Sequence, residues 1–292
     1  MLKLNIRNET HPLRAVILGI ADDMGPALDI NPVSKFHMDN GSYPTEAIIK
    51  EELLTVQQAL ESEGIKVYRP ENIPNTEQIF VRDIGFVIDE TFVVANMKEP
   101  VRQKEIKGIE TLLDEINPES ILRLPKDATI EGGDVVLYND HIFVGISKRT
   151  NNAGFEFIRQ AFPHKKVHAL PLVVNDDPAT NILHLDCAFQ PVGTSSAILY
   201  EEGFLTTPEI IHELFQPNEL IHVNREEKQR MFPNIFSIAP DLVLVEEQFT
   251  ELIEALQKRG IRSIKTRYSE TSKLSGLLRC STLPLFRHHT TG

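Results

Sequence analysis

Short apolar, β-branched runs alternate with helix-period patterns from one end of this chain to the other, and the alternation recurs about five times. Strands are expected at 15–19, 65–68, 121–124, 166–173, 184–189, 195–200, 220–223, 242–245 and 261–266. Hairpins are expected at 79–88 with 91–95 and at 135–138 with 141–144, each pair bracketing an Asp-Glu or Asn-Asp turn. Between them, 45–63 places Ile49, Leu53, Val56 and Leu60 on one face with Gly64 as a stop, and 101–116, 152–161, 208–215, 225–231 and 249–259 also read as helices. Such interleaving specifies an α/β fold, and its recurrence suggests a repeat architecture without naming one. No Gly/Ser linker, charge block or low-complexity tract divides the chain, so residues 1–292 are expected to form one domain.

The glycine-rich phosphate-binding spacings are absent, which argues against a dinucleotide or nucleoside-triphosphate site. With 42 acidic and 30 basic side chains the net charge is −12, which repels nucleic-acid backbones and anionic lipid and permits a cationic small molecule. The two cysteines lack a zinc spacing and cannot make a disulfide framework. No apolar run approaches the roughly 20 residues needed to span a bilayer. The opening residues contain no apolar leader core, so a cytoplasmic address is expected.

Several short strings could carry chemistry. Arg279-Cys280-Ser281-Thr282-Leu283-Pro284-Leu285 sets a cysteine beside a cation and two hydroxyls, and a nearby cation raises the thiolate fraction a nucleophile needs. Taken alone, the string fits a small buried residue beneath the last strand better. His184-Leu185-Asp186, read as strand, would put an imidazole and a carboxylate on one face, with Cys187 turned away as a packing residue. Taken alone, a surface His–Asp pair is the commoner case. Thr129-Ile130-Glu131-Gly132-Gly133-Asp134 sets an acid before a Gly pair at a strand mouth, where the backbone can approach something bulky, or where it merely turns. Asp83 interrupts an apolar run and must be paired, exposed or functional. Arg102 and Arg149 follow the two hairpins and alone would pass as solvated surface.

Taken together and in this order, these residues resemble the pentein superfamily of guanidine-modifying enzymes: arginine deiminases, dimethylarginine dimethylaminohydrolases and amidinotransferases. The resemblance runs from Asn8-Glu9-Thr10-His11-Pro12-Leu13, similar to an amidinotransferase opening, to the motif around Cys280, and so covers nearly the whole chain. It implies a five-bladed α/β propeller of ββαβ-like units with the site at its centre. It also implies Cys280 as nucleophile, His184 as general acid/base and Glu131 as the carboxylate that orients and polarises. Asp83 and Asp186 would grip the guanidinium nitrogens, and Arg102 and Arg149 would hold a substrate α-carboxylate. No metal or organic cofactor is implied, and a homodimer is.

Within the superfamily, the Glu131-Gly132-Gly133-Asp134 and Ile146-Ser147-Lys148-Arg149-Thr150 strings resemble the hydrolases, and Arg279-Cys280 with Pro284-Leu285-Phe286-Arg287 resembles the deiminase ending. The expected reaction is therefore arginine to citrulline and ammonia, with amidino transfer, dimethylarginine hydrolysis and a non-catalytic binding module as alternatives. Glu77 stands where deiminases commonly carry asparagine, and an acid there would repel an α-carboxylate. Asp83, Glu131 and Asp186, buried together, would also repel one another, so an empty site is expected to be strained by excess negative charge.

Overall fold

The computed structural model of the chain describes residues 1–288. Among these residues, fifteen strands form five three-stranded sheets. In the first, β1 (Leu13–Leu18) is central, parallel to β2 (Lys66–Tyr68) and antiparallel to β15 (Thr282–Arg287). The second contains β3 (Gly85–Ile88), β4 (Thr91–Val94) and β5 (Ile121–Arg123); the third β6 (Val135–Tyr138), β7 (His141–Ile146) and β8 (Lys166–Pro171). The fourth contains β9 (Phe189–Val192), β10 (Ser196–Leu199) and β11 (Leu220–His222); the fifth β12 (Phe236–Ala239), β13 (Leu242–Glu246) and β14 (Arg262–Thr266).

Four sheets follow one rule: a hairpin, a crossover through helix, then a third strand parallel to the second; the first has the same pairing, but β15 from the far end of the chain takes the place of the hairpin's first strand. The hairpin turns explain the local sequence. Asp89 and Asn139 adopt positive φ of 50° and 54°, a conformation that Asp and Asn tolerate better than other side chains. Parallel strands need the longer crossover, supplied by α1 (Pro32–Asp39) with α2 (Glu46–Ser62), then α3 (Glu110–Asp114), α4 (Asn152–Ala161), α5 (Glu209–Leu214) and α7 (Thr250–Gln257). A further short helix, α6 (Arg225–Gln229), joins the fourth sheet to the fifth. On α2, Ile49, Leu53, Val56 and Leu60 are all buried as the periodicity requires, each contributing about 1.5–3 kcal/mol.

Burial falls across each sheet in the same direction. The first and second strands are almost wholly buried, whereas β2, β5, β8 and β14 carry exposed positions. The segments that enter the first strands carry buried polar residues, among them Asp83, Glu131, Asp186, Asn234 and Cys280. Hydrogen bonds pass between these entry segments in sequence. Arg82 N donates to Cys280 O (3.0 Å), Gly132 N to Asp83 O (3.2 Å) and Leu185 N to Asp134 Oδ1 (2.9 Å). Asn234 Nδ2 donates to Asp186 O (3.4 Å), and Arg279 N to Asn234 O (3.2 Å), which returns the series to its start.

Several expected elements differ. The strand expected at 184–189 starts only at Phe189, because Leu185–Cys187 is a 3-10 turn after an extended His184. The hairpin strand expected from 79 begins at Gly85, and Arg82 and Asp83 lie in the turn before it. The helix expected over 101–116 is broken into two 3-10 turns and the short α3. Among the described residues, no helix is long and apolar enough to cross a membrane.

Candidate active site

Five entry segments deliver the polar residues of the centre. Asp83 precedes β3, Glu131 and Asp134 precede β6, His184 and Asp186 precede β9, Asn234 precedes β12, and Arg279 and Cys280 precede β15. All are buried. Glycine makes the convergence possible at two points. A Cβ at Gly132 would meet Arg82 O at 2.1 Å, and one at Gly133 would meet the His184 ring at 2.8 Å and Asp83 Oδ1 at 2.9 Å.

The histidine side is an ion-pair array. His184 Nε2 lies 2.9 Å from Glu131 Oε2, and Nδ1 lies 3.6 Å from Asp83 Oδ1. Burial alone would lower the imidazolium pKa, but the charge of Asp83, the hydrogen bond to Glu131 and the charges of Asp134 and Glu131 outweigh it and raise the pKa to about 9. Burial likewise opposes ionisation of Glu131, yet His184, Arg149 and Arg102 bring its carboxyl down to about 2. His184 therefore rests as a cation clasped by carboxylates. Behind it, burial holds the Asp134 carboxyl up at about 7 although Ser147 Oγ and Leu185 N donate to it.

The cysteine side differs. Cys280 Sγ accepts from Asn234 Nδ2 at 3.2 Å and lies 3.6 Å from Asp186 Oδ2, while Cys280 N donates to Asn234 Oδ1 at 3.1 Å. Burial, then the charges of Asp186 and Asp83, push the thiol well above its ordinary pKa. Both effects favour the protonated thiol, so its ionisation calls for a neighbouring cation. Asp186 is itself held by Arg279 Nη1 at 2.8 Å.

Arg102 and Arg149 do not stand free. Arg102 donates to Asp83 Oδ2 (2.7 Å), to both oxygens of Glu105 and to Phe80 O. Arg149 donates to Glu131 Oε2 (3.4 Å) and Ile30 O (2.9 Å) and pairs with Glu99 at 3.6 Å. The expected strain of three unneutralised acids is therefore corrected: Asp83 carries Arg102, Glu131 carries His184 and Arg149, and Asp186 carries Arg279. The same three-way accounting bears on metals. Asp83, Glu131 and His184 bring ligand-capable atoms within 4.8 Å of one another, but a dication there would face two guanidinium groups already bonded to those carboxylates.

Cys280, His184, Asp83, Arg102, Arg149 and Glu77 line one cavity of about 10 Å3, roughly the room one water needs. Glu131 and Asp186 sit behind it, against His184 and Arg279 respectively. Among the described residues, Asp83 Oδ1 and His184 Nδ1 are buried without a hydrogen-bond partner and remain open to a donor and an acceptor. The cavity is roofed by the start of α1, where Asn31 caps the helix by accepting from Ser34 N and the Ser34 hydroxyl donates to Leu274 O. Beyond Ile30, Asn31, Arg149 and Leu183, a cleft of about 410 Å3 opens outward, bordered by Asp29, Lys35, Glu99, Lys148 and Asp176.

Sequence reasoning missed Asn234, Glu105 and the roof. Asn234 had a detectable signal, since it occupies the place before β12 that Asp83 holds before β3 and Cys280 before β15.

The family profile described as N,N dimethylarginine dimethylhydrolase, eukaryotic, matches residues 31–287. The chain belongs to this family, within the pentein superfamily. It is 31% identical to the uncharacterised protein YkgA of Bacillus subtilis (strain 168), over 96% of this chain and 94% of that one. It is 25% identical to the N(G),N(G)-dimethylarginine dimethylaminohydrolase of Pseudomonas aeruginosa, over 71% and 76% of the two chains. Among solved structures, SxtG, an amidinotransferase of Microseira wollei in the saxitoxin biosynthetic pathway, superposes with a TM-score of 0.82 at 22% identity, covering 99% of this chain and 98% of that one. The N-terminal domain of the cyanobacterial arginine dihydrolase ArgZ, bound to product, gives 0.80 at 20% identity over 94% and 97%. At these identities the structural likenesses establish the pentein fold, and the family match makes the protein a guanidino-group-modifying enzyme.

Proposed function

We propose that this pentein, as a single domain, is a cysteine-dependent hydrolase of the guanidinium group of arginine or a close arginine derivative, with arginine yielding citrulline and ammonia. The observation that carries this reading is the cavity that holds a thiol, a cationic imidazole and an unpartnered carboxylate oxygen at once. A guanidinium is planar, cationic and a poor electrophile. Asp83 Oδ1 accepts from one of its nitrogens and, with Asp186 near the sulfur, fixes its plane against Cys280. The arriving charge offsets the burial and the acids that keep the thiol protonated, and the thiol proton passes to solvent as the sulfur attacks.

Attack forms the C–S bond and a tetrahedral intermediate. His184, held protonated by Asp83 and Glu131, delivers its proton to the departing nitrogen as the C–N bond breaks. The remaining amidino-thioether is attacked by water, whose proton returns to His184. Collapse then breaks the C–S bond, the adduct's hydroxyl proton passes to the departing sulfur to regenerate the thiol, and the ureido product is released. Arg149, shared between the cavity and the outer cleft, is the better placed of the two arginines for a substrate carboxylate, which would compete with the partly exposed Glu99. Arg102 instead spends its donors on Asp83 and Glu105 and serves to hold Asp83.

The family match favours a second reading, in which the same steps release an alkylamine from dimethylarginine. An acceptor amine in place of water would make the enzyme an amidinotransferase. Incubation with arginine, monomethylarginine and dimethylarginine, each with and without glycine, followed by product masses, separates the readings. Citrulline with ammonia is expected, citrulline with an alkylamine supports the second reading, and glycine-dependent ornithine supports transfer. Full turnover by Cys280→Ala would falsify the covalent route, and binding without turnover of any guanidine would leave a non-catalytic module.

A further inference from the structure

The opening motif contributes no residue to the cavity, yet one of its side chains reaches the centre. Glu9 is buried and lies against β6, its N–H donating to Leu137 O at 3.2 Å. Its Oε1 accepts from Arg279 Nη2 at 2.9 Å, and the same guanidinium donates through Nη1 to Asp186 Oδ2 at 2.8 Å and through Nη2 to Val135 O at 2.8 Å. Asp186 Oδ2 is the oxygen 3.6 Å from Cys280 Sγ. A continuous path therefore runs from residue 9 to the thiol: carboxylate, guanidinium, carboxylate, sulfur.

The surroundings give that path a charge problem. Arg82 and Arg287 are buried beside Arg279, and among the described residues Arg82 Nη2 has no hydrogen-bond partner. Burial and neighbouring cations lower the Arg82 pKa to about 9 and that of Arg287 to about 10. Against these three cations stand Glu9 and Asp186, and the three arginines bring the Glu9 carboxyl to about 2 despite burial. Without Glu9, Asp186 alone would face the guanidinium groups of Arg279 and Arg82. Its carboxylate would turn toward them, away from the sulfur and from the place of the substrate.

We propose that Glu9 is a positioning residue for the reaction: through Arg279 it fixes Asp186 beside Cys280 and preserves the negative potential that draws a guanidinium to the sulfur. The inference rests on Cys280 being the nucleophile. Glu9 acts with the other groups around that thiol, namely Asp186 and Asp83, Cys187, the Asn234 amide and Tyr268, whose hydroxyl donates to Ser281 Oγ.

The test is the pH dependence of Cys280 alkylation by iodoacetamide in the substrate-free protein, followed by peptide mass at that residue, together with steady-state kinetics. In Glu9→Gln the loss of negative charge stabilises the thiolate, so the apparent thiol pKa falls by about one unit. KM for the guanidine substrate rises by about tenfold with a smaller change in kcat. Glu9→Asp, which keeps the charge but draws it back by one bond, moves both readouts the same way by less, and carries the test if Glu9→Gln does not fold. An alkylation profile unchanged from wild type in either folded variant overturns the proposal. So does failure of both variants to fold, which would make Glu9 a purely structural residue. Alkylation is read at Cys280 without turnover, so it can fail while Cys280→Ala still abolishes activity, and the reverse.

Discussion

At the scale of single residues, the site divides its work between two halves with opposite electrostatics. His184 is kept charged by acids, and Cys280 is kept neutral by them. Because His184 has a pKa raised from 6.5 to about 9, its stabilising ion pairs are fully present below the unfolded value and are lost as pH rises through about 9. Glu131, lowered from 4.5 to about 2, contributes stability above 4.5 that is lost as pH falls through about 2. Glu131→Gln should therefore flatten the alkaline decline in stability measured by urea unfolding across that upper window. It should also shift the alkaline limb of the rate profile to lower pH, since His184 would lose its proton earlier. An unchanged alkaline limb would argue against His184 as the proton donor. Gly133 offers a steric counterpart. The Cβ of Gly133→Ala collides with the His184 ring, and displacement of about an ångström at a reacting group costs about 100-fold in kcat. Little change in kcat would show that the ring tolerates a shift.

At the scale of elements, the entry segments are held from outside as well as by one another. Glu52 on α2 is buried and accepts from Glu270 N (3.0 Å), Thr271 N (2.8 Å) and Thr271 Oγ1 (2.7 Å), clamping the 3-10 turn Thr271–Leu274 that leads to Cys280. Glu52→Ala would strand those three donors and should cost about 3 kcal/mol in denaturant unfolding; a cost below about 1 kcal/mol would mean that water replaces the carboxylate. Legibility differed between elements for physical reasons. The hairpin of β6 and β7 was readable because Asn139-Asp140 interrupts two β-branched runs, and α2 and α4 because their apolar faces keep helical period. The segment His184–Asp186 alternates polar and apolar as a strand does, but its polar residues answer to partners on other sheets and the backbone turns to reach them. For the same reason Cys280 and His184 were nameable by resemblance as candidate nucleophile and general acid, whereas the arginine partner of each acid was not. Arg279 and Glu9 lie at opposite ends of the chain. The roof helix α1 carries no apolar stripe, and it docks through Asn31 and Ser34 instead.

At the scale of the whole molecule, the sequence alternation became, among the described residues, five sheets of the same strand pairing, four built from consecutive strands and the first completed by the last strand. The hydrogen bonds between entry segments then have a consequence for how the centre can open. A linear series of links frays from its ends, but a series that returns to its start offers no end from which to fray. The amides of Arg82, Gly132, Leu185 and Arg279 are its backbone donors. They should exchange with deuterium as one set, at a common rate set by global unfolding and not by local excursions. Independent rates among the four would mean that the links break singly. A common rate would mean that the candidate catalytic centre is also the last part of the protein to come apart.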